Sequence, residues 1–155
     1  MNSYLDHPNK LVVGAIIVSL IFIIVGHFYR DQIQSRLKQP LMHVKEFDLD
    51  WWSVTHFMLF AFFGFVKPGY PLSFFTIGAL FEVFEDGCAS DANTQLVDCV
   101  GGNKSGLACG VMCNGFSDSY WYGKFDDIFA NLLGYVVGQA LRYAFGPPVS
   151  ANGVF

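Results

Sequence analysis

Four stretches of the chain are dominated by apolar positions, and each is bounded by residues that end helices or turn the chain. Residues 11–28, LVVGAIIVSLIFIIVGHF, contain no Asp, Glu, Lys or Arg. At about 1.5 Å per residue they nearly match a hydrocarbon core of about 30 Å, which predicts a transmembrane helix. A cleaved signal peptide is the rival reading, but its apolar run is shorter, and Gly26-His27-Phe28-Tyr29 makes a poor small-residue cleavage site. The second apolar block, Trp51 to Phe84, is broken by Lys67-Pro68-Gly69-Tyr70-Pro71. Its prolines remove backbone donors and its glycine supplies turn geometry, so the block reads as two helices, 51–66 and 71–85, joined by a tight hairpin. Both are shorter than an untilted crossing of about 20 residues. Trp51, Trp52, Lys67, Tyr70 and Glu85 stand at their ends and are residue types that reach the membrane interface. Phe57, Phe60, Phe62, Phe63 and Phe65 cover every side of 51–66, which suits lipid better than a one-sided core. The last block, 127–145, stops at Gly146-Pro147-Pro148. Asp126 or Asp127 is its expected N-cap, Arg142 lies where it can snorkel, and Gly134 and Gly138 form a small-xxx-small face for close approach of another helix.

Composition places these segments in lipid rather than in a soluble core. Apolar residues make up 53% of the chain and charged residues 14%, where soluble domains carry about 25% charge. The net charge of -4 supplies no cationic field for a polyanion, so no nucleic-acid partner is expected. Seventeen phenylalanines exclude disorder. The expected fold class is all-α: one integral membrane domain over residues 1–155, a bundle of four transmembrane helices. A cysteine-containing loop, 86–126, joins the third and fourth. Four crossings place both termini on one side and the two large loops on the other.

The loops carry conflicting signals about orientation. Residues 29–50 mix basic and acidic side chains, and Ile33 and Leu37 share one helical face, so a short interfacial helix ending before Pro40 fits. Every cysteine falls in the later loop: Cys88, Cys99, Cys109 and Cys113. Four cysteines confined to a polar loop suggest two disulfides facing an oxidising compartment; free thiols and a zinc site are the alternatives, the latter lacking paired short spacings. Asn103-Lys104-Ser105 is a glycosylation sequon. Arg30, Arg36, Lys38, Lys45, Lys104 and Lys124 also lie on this side, and positive-inside counting would turn it to the cytosol. The orientation therefore stays open. Gly101-Gly102-Asn103-Lys104-Ser105 is a turn rather than a phosphate loop, because Asn103 stands where a glycine is required.

Alternating helix directions bring the few intramembrane polar residues to one depth. His56 lies inside the start of 51–66, Glu82 and Glu85 end 71–85, and Asp127 and Asn131 open the last helix. The i, i+3 and i, i+4 spacings give each pair one face. Polar groups at this depth are costly in lipid unless they face one another or water, so a cluster is expected. One reading is structural, with Asp127 capping and His56 and Asn131 bonding across helices. The other is a site for a lipid head group or divalent cation with His56, Glu82, Glu85 and Asp127 as ligands. No motif demands a cofactor or a resident metal, and no nucleophile elbow, zincin helix or kinase-type signature supports catalysis.

Thr55-His56-Phe57 with Phe60, Phe63 and Gly64, Glu82 with Glu85, and Asp127-Ile128-Phe129-Ala130-Asn131-Leu132-Leu133-Gly134 followed by Gly138 together resemble the VanZ-like family of small multi-helix membrane proteins. The resemblance extends from about Asp50 to Leu141. Trp52-Ser53 replaces the family's acidic and lysine pair, Glu85 replaces a glutamine, and Lys124 stands for an arginine. Asp50-Trp51-Trp52-Ser53 with Trp121-Tyr122-Gly123-Lys124 is similar to VanZ-like proteins of large DNA viruses, which implies a virion or viral-factory membrane attached to a capsid. The expected role is that of a multi-pass structural or assembly component of a cellular or viral inner membrane. Its expected partners are the lipid bilayer and other membrane or capsid-layer proteins, with a homo-oligomer left open. The alternative is a lipid head-group enzyme or metal-dependent binder built on the polar cluster.

Overall fold

Pro8 opens the first helix, α1 (Pro8–Phe28), at a position where its missing N–H leaves no helical bond unmade. The computed structural model describes residues 8–44, 47–88 and 124–146. Within them the chain is mostly helical. After α1 come α2 (Arg30–Leu37), strands β1 (Pro40–Val44) and β2 (Phe47–Asp50), and helices α3 (Trp51–Val66), α4 (Pro71–Cys88) and α5 (Phe125–Phe145). Among the described helices only α1, over Pro8–Gly26, is long and apolar enough to cross a membrane by itself; Trp51–Val66 is a shorter apolar helix.

Three expectations need correction. The fold is mostly helical, as expected, but not helical throughout, because β1 and β2 form an antiparallel ribbon pairing Val44 with Phe47, His43 with Asp48 and Met42 with Leu49. Met42, Val44, Phe47 and Leu49 keep the two-residue period of a strand and are paired across the ribbon, and Pro40 occupies a strand's first position, where no ladder donor is required. The loop 86–126 is shorter than expected, since α4 continues to Cys88 and α5 begins at Phe125. Neither Asp126 nor Asp127 caps α5: Lys124 holds the N-cap without a side-chain bond, and both aspartates sit in the first turn, where they complement the helix dipole. The side-chain cap belongs instead to α3, where the Asp50 carboxylate accepts from Ser53 N–H at 3.0 Å.

Side-chain partners fix the helix directions. Asn9 meets Lys67 at one end of α1 and Phe22 meets Trp52 towards the other, so α1 and α3 are antiparallel. α3 and α5 run parallel and touch backbone to backbone. A methyl on Gly134 would strike the Phe57 carbonyl, one on Gly138 the Ala61 carbonyl, and one on Gly64 the Tyr135 carbonyl. The small-residue face of α5 is thus used within the chain, against α3. α4 runs against both, with Phe74 stacked between Phe63 and Tyr135 at centroid distances of 5.0 and 5.2 Å.

Tyr135 also ties α5 to the turn between α3 and α4. Its hydroxyl donates to Lys67 C=O at 2.7 Å and accepts from Tyr70 N–H at 2.9 Å, while Gln139 Oε1 accepts from Gly69 N–H at 3.0 Å. Gly69 holds φ at 91°, a left-handed conformation that glycine adopts without strain. Tyr135→Phe leaves the ring stack and removes both hydroxyl bonds. It is expected to lower stability by about 1–2 kcal/mol, read from unfolding in detergent against the wild type; an unchanged midpoint would refute the clamp.

Candidate functional site

The start of α3, the end of α4 and the start of α5 lie at the same end of the bundle because the three helices alternate in direction. His56 Nδ1 from α3 is 3.1 Å from Glu82 Oε1 on α4 and 3.2 Å from Asn131 Oδ1 on α5. The ligand atoms of His56, Glu82 and Asp127 all lie within 4.8 Å of one another. Glu82 is fully buried, Asp127 and Asn131 are 1% exposed, and the His56 side chain, at 12%, is the most exposed of the four. Glu85 is buried one turn further along α4 and interacts electrostatically with Glu82, His56 and Asp127. The structure therefore brings together His56, Glu82, Glu85, Asp127 and Asn131.

Neighbouring side chains hold these groups in place. Ser53, one turn before His56, donates its hydroxyl to Asp127 Oδ1 at 2.6 Å and lies 3.3 Å from Asp50 Oδ1. Lys124 Nζ is paired with Asp50 Oδ2 at 3.1 Å, and Lys124 N–H donates to Glu82 Oε2 at 3.3 Å. Trp52 Nε1 donates to Gln34 Oε1 of α2 at 2.9 Å and packs edge-on to His56 at 6.5 Å between centroids. Asp50, Ser53 and Lys124 belong to the cluster although periodicity singles out none of them. The signal available for Asp50 was the Asp-x-x-Ser spacing of an N-cap; Lys124, three residues ahead of the apolar block, was marked only by the family resemblance.

Two polar atoms of this group lack a hydrogen bond: Glu82 Oε1 and Asn131 Nδ2, both buried. Such atoms cost free energy in a low-dielectric surrounding and mark a place where a partner belongs. The cluster also carries more acid than base. With Lys124 engaged by Asp50, His56 alone stands against Glu82, Glu85 and Asp127 among the residues gathered here.

The cluster opens into a groove of about 460 Å³ between α1, α3 and α4. Its long walls are apolar, formed by Leu20 and Ile23 of α1, Leu59 and Phe63 of α3, and Ile77 and Phe81 of α4. His56, Glu85 and Asn131 line it where the cluster lies, and His56 to Phe63 spans about 10 Å of helix from the polar end to the apolar one.

Cys99, Cys109 and Cys113, and the sequon, lie outside the described residues, as does any pairing of Cys88, whose backbone ends α4. No family model, curated protein or solved structure matches the chain.

Proposed function

We propose that the chain is a multi-pass integral membrane protein of the VanZ-like kind that binds a membrane lipid, its head group at the His56 cluster and its chain in the adjoining groove. The carrying observation is the division of that groove, apolar along α1, α3 and α4 and polar at the end formed by His56, Glu85 and Asn131. A site that buries a few placed polar groups beside a long apolar wall has the chemistry of an amphiphile site.

The bilayer setting is supported by what the helices turn outward. Val18, Met58, Leu72, Ile77, Leu80 and Tyr143 are all more than half exposed. Large side chains of this kind on every face would form apolar surface far beyond what a soluble monomer leaves in water. Four antiparallel or parallel helices, α1, α3, α4 and α5, supply four crossings, with α2 and the β-ribbon at the interface where the polar cluster lies. Ionisable residues at that depth, facing one another rather than lipid, are in general functional. The expected role as an assembly component of a cellular or virion membrane, with a capsid-layer partner, rests on the family resemblance, on the Gly134 face and on the cysteine loop, of which 89–123 lie outside the described residues; the groove among the described residues favours the lipid-binding reading.

Native mass spectrometry of the chain released from mild detergent or nanodiscs tests this. The wild type is expected to stay with carbonate-washed membranes and to retain one lipid per chain. Leu59→Trp, which fills the apolar part of the groove, is expected to keep its helical circular dichroism and lose at least nine-tenths of that lipid. Lipid retention unaffected by Leu59→Trp, or absent in the wild type, overturns the reading.

A further inference from the structure

We propose that His56 Nδ1, Glu82 Oε1, the Asp127 carboxylate and Asn131 Oδ1 form a binding site for one divalent cation of the manganese or zinc class. His56 Nδ1 faces two oxygens at once, Glu82 Oε1 at 3.1 Å and Asn131 Oδ1 at 3.2 Å. A single imidazole N–H can serve one of them, and Glu82 Oε1 is the one left buried without a hydrogen bond. An ion bound by the nitrogen's lone pair serves both. With metal–ligand distances of about 2.0–2.2 Å, neighbouring donors in a tetrahedral or octahedral shell stand about 3.0–3.5 Å apart, which is the separation seen on both edges. The Asp127 donor lies within 4.8 Å of those of His56 and Glu82, so an inward turn of its carboxylate would complete the set.

The surroundings have the form of ligand support. Lys124 N–H engages Glu82 Oε2 and leaves Oε1 to the site, and Ser53 engages Asp127 Oδ1. Outer-shell bonds of this kind aim ligands at a metal. One imidazole with oxygen donors, on three helices and with an excess of acid, suits manganese or zinc; calcium calls for more oxygens and magnesium retains more water. The inference uses the same cluster as the lipid site but does not depend on lipid being bound there.

The full-length chain in detergent, stripped with EDTA and dialysed, would be titrated with Mn²⁺ alone and Zn²⁺ alone. One equivalent per chain is expected by elemental analysis, with an electron paramagnetic resonance signal for bound Mn²⁺ and a raised unfolding temperature. Glu82→Gln and Asp127→Asn, each nearly isosteric, are expected to weaken binding at least tenfold, and Gly14→Ala on α1, where a methyl meets nothing within 4 Å, to leave it unchanged. Absence of stoichiometric binding by the wild type overturns the site, and so does unchanged affinity in both variants. The wild-type titration decides the matter even where a variant fails to fold. Lipid retention in the same samples is a separate readout: a chain that keeps lipid and binds no ion defeats the metal site alone, and one that binds the ion without lipid defeats the lipid reading alone.

Discussion

Replacing Gly138 by alanine is expected to destabilise the bundle by about 3 kcal/mol, the upper part of the usual range for overpacking a filled interface. The added methyl would be driven into the Ala61 carbonyl, and backbone on both sides cannot swing aside as a side chain can. Gly134 and Gly64 meet backbone in the same way, so α3 and α5 would have to separate along their length. Unfolding in mixed micelles, followed by helical circular dichroism, measures the loss. Gly14→Ala in α1 is the control: a methyl there meets nothing within 4 Å, and alanine's better helix propensity is expected to leave stability level or raise it by up to about 1 kcal/mol. A loss below 1 kcal/mol at Gly138 would contradict the close parallel packing.

Lys124→Met is expected to cost more, about 3–5 kcal/mol, because it leaves the Asp50 carboxylate buried without its counter-charge. Both side chains are 5% exposed, so water offers little compensation. Adding Asp50→Asn should recover at least half of the loss: asparagine caps a helix about as well as aspartate and can still accept from Ser53 N–H, while no charge is left stranded. Equilibrium unfolding of the wild type, the two single variants and the double variant gives the coupling between the residues directly. Independent, additive losses would mean that the 3.1 Å pair contributes nothing of its own.

Legibility in the sequence followed the range of the interactions. The apolar blocks that became α1, α3, α4 and α5 were visible because each is a long run closed by Pro or Gly, and the Pro-Gly turn at 67–71 fixed the antiparallel order of α3 and α4. That order alone was enough to gather His56, Glu82, Glu85, Asp127 and Asn131 at one end. The β-ribbon at 40–50 was not legible, since five- and four-residue strands among mixed charges carry too short a period to stand out from a loop. The cap of α5 was misplaced because aspartate is favoured both at the N-cap and in the first turn, and only geometry separates the two. Lys124 was named only through the family resemblance, and its pairing with Asp50 was not legible, because the two lie 74 residues apart and nothing local marks a lysine that will be buried against a distant carboxylate. Gly64 was marked only by the family resemblance, and its packing role, against the Tyr135 carbonyl, became visible only when α5 was laid against α3.

The parallel seam between α3 and α5 also dictates an order of events during synthesis. The two helices with the tightest backbone approach are those that cannot be joined by a short turn, and α4 together with residues 89–124 must leave the ribosome before α5 does. Until then the Gly64 notch lies open and the Lys67–Tyr70 turn lacks the phenol that will bind it. A chain stopped ahead of Phe125 would lack the helix on which both α3 and α4 chiefly pack, and so would leave the hairpin without most of its support.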